Sequence, residues 1–203
     1  MTTNRKRTGK TTLPPSDHLA DIPSPMHAGQ GLTWMPADAI RAKTGLPADD
    51  VQVVAMIVKA DEAWSAYRKA LRAADLARFG DPALATPATR KARLHDLAHY
   101  YNRARLAAWT SSLGDAGLER WALLMGESIL AGRLRKRVPG VTIDLLPDLP
   151  RRCDLTDASI EAAKAIQQGE HWARVRPGVE DAADAVIDEA LADMGWKDDD
   201  FKD

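Results

Sequence analysis

Residues 49–79 read DDVQVVAMIVKADEAWSAYRKALRAADLARF, and the spacing of their apolar members decides the fold class. Val53, Ile57, Ala60, Trp64, Tyr67, Leu71 and Ala74 step by four, three, four, three, four and three. Those steps place all seven on one stripe of an α-helix, close to a heptad seam. Lys69, Arg72 and Arg78 fall mostly outside it. Asp49 and Asp50 suit the positive end of the helix dipole. Gly80 and Pro82 stop the helix.

The same pattern recurs downstream. Thr86 and Pro87 form a cap and first helical residue for a second long helix, ending near Ser112 before Gly114. Its buried stripe would be Leu94, Leu97, Tyr101, Ala104 and Ala108, with Trp109 and Leu113 alongside. A third helix is predicted from near Asp115 to about Arg137, with Leu118, Trp121, Met125 and Ile129 inward. Gly126 and Gly132 either weaken it or let another backbone come close. Pro139 and Gly140 make a turn, and Val141 to Leu146 is the one stretch with strand character, cut short by Pro147 and Pro150. A fourth helix is expected over Thr156–Gln168. A fifth follows over Pro177–Met194, with Val179, Ala183, Val186, Ala190 and Met194 inward.

Upstream, Pro14, Pro15, Pro23, Pro25, Gly29 and Gly31 break any long element. Residues 1–33 therefore read as an extended basic and proline-rich arm that orders on a partner. Trp34 to Leu46 holds one short helix closed by Gly45 and Pro47. The expected architecture is all-α: an antiparallel bundle of three long helices plus two shorter C-terminal helices. The helical domain would span 34–194, with an acidic tail over 195–203.

Composition narrows the class. The chain has 203 residues, 45% hydrophobic and 28% charged, which is globular rather than disordered usage. Its longest apolar run, Val53 to Val58, is far shorter than the roughly 20 residues of a membrane span. Arg5, Lys6, Arg7 and Lys10 precede no apolar stretch, so no signal peptide is expected. Cys153 is the only cysteine, which excludes intrachain disulfides and thiolate zinc clusters and suits a reducing cytoplasm.

Charge is uneven. Residues 51–140 carry 15 basic and 8 acidic side chains, whereas residues 141–203 carry 7 and 16. Arg133, Arg135, Lys136 and Arg137 form the densest basic cluster. One or two cations at a helix C-terminus answer the dipole, and four exceed it. With Arg90, Lys91, Arg93, Arg103 and Arg105 they would build a continuous surface for nucleic-acid backbone, gripping charge without reading sequence. Trp34, Trp172 and Trp196, near helix ends or in loops, are candidate interface anchors. Trp64, Trp109 and Trp121 fall at core positions.

Other constellations carry less. Gly9, Lys10, Thr11 and Thr12 resemble the end of a phosphate-binding loop, but Asn4 stands where its first glycine belongs and Pro14 follows where a helix is needed. His95, Asp96 and His99 repeat the spacing of a zinc hydrolase helix, without an obvious third ligand and beside Lys91, Asn102 and Arg103. No serine sits in a nucleophile turn, and Cys153 beside Arg151 and Arg152 is an isolated thiol. No metal or other cofactor is expected.

The leading expectation is a non-catalytic helical subunit of an assembly that handles RNA or DNA. Its build compares, by fold class alone, with small subunits of RNA-guided effector complexes and with packaging or plasmid-maintenance proteins. The rival is a structural or adaptor protein, as in a virion, whose basic middle meets the acidic end of another copy. A metal-dependent hydrolase using His95 and His99 comes third.

Overall fold

In a computed structural model the chain is described at residues 19, 22, 40, 41, 44–110, 116–140, 161 and 170–201. Side chains are described at all of these except 107–110, 116–124, 170–179 and 181. The protein is all-α, with four helices, two short 3₁₀ turns and no strand among the described residues. The strand-like stretch at 141–146 and most of the helix expected over 156–168 lie outside them, as does Trp34.

Helix α1 spans Val51–Phe79. The Asp50 carboxylate caps it by accepting the amides of Gln52 at 2.8 Å and Val53 at 3.4 Å, and Gly80 ends it with φ +73°. Its stripe packs as expected: Val53, Ala60, Trp64, Tyr67 and Leu71 are buried, with Ile57 and Ala74 packed against them. Helix α2, Pro87–Thr110, begins at the expected cap, where Thr86 Oγ1 accepts from the Thr89 amide at 3.3 Å. Helix α3 spans Ala116–Arg137.

Helix α4 spans Glu170–Met194, starting seven residues before the expected Pro177. Pro177 lies inside it, where it removes one helix hydrogen bond and its ring crowds the carbonyl of residue 173. Ala183, Val186, Ala190 and Met194 are buried as expected, joined by Ile187 and Leu191. The helix closes in a Schellman arrangement, the Trp196 amide bonding to Leu191 O at 2.9 Å and that of Gly195 to Ala192 O at 3.1 Å.

Two features differ from expectation for a shared reason. The inner face of α3 runs through Glu127, Leu130 and Leu134, with Val138 just beyond its end; Ile129 packs half-buried against this core as expected, and Met125 is half-buried. On α2, every residue from Arg93 to Asn102 is buried. Helix α2 is the central one: α1, α3 and α4 all pack on it. A helix enclosed from three sides has no solvent face to keep polar residues on.

Contact register gives the directions. Asp75 meets Arg93 while Trp64 meets Tyr101; Tyr101 meets Asp193 while Arg105 meets Glu189. Helices α1 and α4 thus both run opposite to α2. The end of the chain also folds in. Trp196 is 6% exposed and stacks edge-on against Phe201 at 5.9 Å, and the 3₁₀ turn Asp198–Phe201 follows. Leu19, from the segment read as an arm, is fully buried in the same core.

Gly126 is where α3 touches α2. A Cβ there would overlap the Leu106 side chain, whereas one on Gly132 would meet nothing within 4 Å. Gly126→Ala is expected to destabilise the fold by about 1–2 kcal/mol through overpacking, and Gly126→Ala/Leu106→Ala to show positive coupling. Gly132→Ala should stabilise by about 0.5–1 kcal/mol through helix propensity. Urea unfolding of the wild type, these variants and the Leu106→Ala single variant, five proteins in all, measures both.

Candidate functional site

The nine cations assigned to a polyanion surface do not share one exposed side. Arg93 is fully buried, its Nε 2.7 Å from Asp75 Oδ2 and its Nη2 3.0 Å from Gly80 O. The guanidinium lies between the Phe79 ring at 5.7 Å and the Trp196 ring at 5.8 Å. Burial pushes the Asp75 carboxyl above its ordinary range against the pull of Arg93. Arg93 therefore leaves the set of surface cations, and Trp196, buried over it, leaves the set of interface anchors.

Helix α4 takes four more cations of the basic middle. Arg105 pairs with Glu189 and lies 5.0 Å over the Trp64 ring, and burial lowers its pKa despite Glu189. Arg133 pairs with Glu180 at 3.0 Å and Asp184 at 3.5 Å. Arg137 pairs with Asp188 at 2.7 Å and with Asp198 at 3.0 Å. Arg68 grips Asp193 with two bonds, from Nε at 3.0 Å and Nη2 at 2.7 Å. The asymmetry that suggested a partner is discharged in large part within one chain.

Of the remaining candidates, Arg90 is half-buried and donates from Nε to Ala85 O at 3.2 Å. Lys91 and Arg103 are half-buried and engaged within the chain. Arg135 and Lys136 are exposed, with no ion-pair partner among the described residues. Trp172 lies in α4, its side chain outside the described set; Cys153 and residues 1–18 also lie outside it.

The polar centre of the molecule is the stretch of α2 that holds His95, Asp96 and His99. His95 is 6% exposed and His99 0%, and their rings stack with centroids 4.3 Å apart. His99 Nδ1 bonds Glu127 Oε2 on α3, and Glu127 Oε1 accepts from Asn102 Nδ2 at 2.6 Å. His95 Nδ1 lies 3.1 Å from Asp96 Oδ1. Glu127, 1% exposed, had no signal in the sequence beyond its place next to Gly126. Gly126 lets the two helices approach closely, and that approach brings this carboxylate to α2. Among the described residues no three His, Cys, Asp or Glu side chains form a metal cage, and no helix is long and apolar enough to cross a membrane.

No protein-family model, no curated protein and no solved structure matches this chain.

Asp193 joins three helices, because Tyr101 donates its phenol to Oδ2 at 2.6 Å beside the Arg68 grip. Burial first, and Asp193 second, hold the phenol well above its ordinary value of 10.0. A raised pKa means that this contribution to stability is complete below that value and lost as pH climbs through the folded-state value. Tyr101→Phe should delete an alkaline step from the ultraviolet titration and flatten the loss of stability at high pH. Asp193→Asn should cost about 1–3 kcal/mol in denaturant unfolding, since it strips charge from a partly buried guanidinium bond.

Proposed function

We propose that the protein is a non-catalytic structural or adaptor subunit, a helical bundle centred on α2 that pairs with a second copy through the outer face of α1. One observation carries this reading. Val51, Val54 and Val58 are 82%, 46% and 50% exposed, on the side of α1 opposite Val53, Ala60 and Trp64. Their spacing of three and four makes a continuous stripe. β-Branched residues there gain nothing from helix propensity, and they gain nothing from burial in the lone chain.

The occupant is inferred from self-complementarity. In an antiparallel pair centred between Val54 and Ala55, Val51 of each copy meets Val58 of the other. The valine strip is then its own complement across the two-fold axis. The basic-to-acidic contact first expected between copies is not needed, because the chain makes it internally.

Arg135 and Lys136 support a second reading, in which the same subunit touches RNA or DNA. Two phosphate contacts give a shallow salt dependence, log affinity falling by about 2 for each tenfold rise in salt. A much steeper slope in a filter-binding series would restore the larger cationic surface.

Light scattering across a concentration series tests the pairing. The wild-type chain should reach about twice its 22.2 kDa mass. Val54→Glu/Val58→Glu should stay at the single-chain mass with unchanged helical circular dichroism. A wild-type protein that is monomeric throughout rejects the proposal.

A further inference from the structure

The stacked histidines of α2 leave a chemical account open. Each ring directs Nδ1 at a carboxylate, His95 at Asp96 and His99 at Glu127. A carboxylate accepts, so Nδ1 carries the hydrogen and Nε2 keeps its lone pair. Both Nε2 atoms are buried, and neither has a hydrogen-bond partner among the described residues. Two such lone pairs cannot satisfy each other. They need a shared donor or a Lewis acid, and an orphaned buried acceptor is otherwise costly.

We infer that His95 and His99 hold a borderline transition-metal ion of the Zn²⁺ class through Nε2. Residues four apart on a helix present both rings to one side, and the 4.3 Å centroid separation keeps them there as neighbours. The imidazole–carboxylate pairs are the outer layer that metal-bound histidines characteristically have, fixing tautomer and ring direction. Asp96 and Glu127 also supply negative charge behind the ligands, offsetting the cost of burying a dication. Imidazole donors without thiolates suit zinc, copper or nickel rather than calcium or magnesium. No third protein ligand converges among the described residues, so water completes the coordination. The ion would lock both rings of α2 in place and so support the existing His99–Glu127 bond to α3, a structural use distinct from hydrolysis and independent of pairing through α1.

The test uses tag-free full-length chain, stripped with chelator and titrated with Zn²⁺ by calorimetry, then with Co²⁺ by visible absorption. About one Zn²⁺ per chain and a Co²⁺ band are expected. His95→Gln, which leaves the His99–Glu127 bond in place, should weaken Zn²⁺ at least tenfold and remove the band. Glu127→Gln, a positioning change, should weaken binding about 10–100-fold. Zn²⁺ should raise the melting temperature of the wild type and not of His95→Gln. Measuring the Val54→Glu/Val58→Glu protein as well separates this result from the pairing: it should bind Zn²⁺ like the wild type. Absence of Zn²⁺ binding by the wild type, or equal affinity in His95→Gln, overturns the inference and leaves a bridging water between the rings.

Discussion

The carboxylates of α4 fix where the other three helices stand. Glu180, Asp184 and Asp188 recur every four residues, a spacing that forms one row on a helix, and they take Arg133 and Arg137 of α3. Glu189 and Asp193, also four apart, take Arg105 and Tyr101 of α2 and Arg68 of α1. The pairs of Arg105, Arg133 and Arg137 are partly exposed and individually worth little, whereas Asp193, enclosed by Arg68 and Tyr101, is worth more. Together they favour this register, because the row is short and a helix slid by one turn keeps one cation paired but carries the other past the end of the row. Apolar packing supplies the bulk of the stability, and this ladder selects one arrangement among several equally greasy ones.

Deeper in, α2 carries an unusual load of polar side chains. Arg93, His95, Asp96, His99 and Asn102 are buried beside Leu94, Leu97 and Tyr101. A buried guanidinium without its carboxylate costs several kcal/mol, so Arg93 commits α1 to deliver Asp75 at one place. His99 and Asn102 commit α3 to deliver Glu127 in the same way. These demands come from the middle helix and are met by residues distant in sequence, which couples the helices into one cooperative unit.

That coupling explains what was legible in the sequence. The stripe of α1 and the boundaries at Asp50, Gly80, Thr86 and Pro87 depend on residues within one or two turns, and local spacing reports them faithfully. The burial of Arg93 and His99 depends on Asp75 and Glu127, which no periodicity links to them. Glu127 on the inner face of α3 is out of reach of any hydropathy pattern, because a carboxylate counts as polar although it faces the core. Trp196 looked like an anchor beyond the last helix because the Schellman turn at Gly195, which swings it back over Arg93, is a matter of backbone geometry. Charge asymmetry itself was plain from composition; its destination inside the same chain required the fold.

The order of the ladder along the chain has a consequence for synthesis. Cations of α1, α2 and α3 leave the ribosome first, and Asp198, which closes on Arg137, lies 61 residues behind it. At about 5–20 residues per second that gap lasts roughly 3–12 s. Until α4 is made, residues 51–140 carry 15 basic against 8 acidic side chains and emerge beside ribosomal RNA with that excess uncovered. Productive folding therefore waits for α4, and the period of greatest exposure to stray polyanions ends only when that helix has emerged.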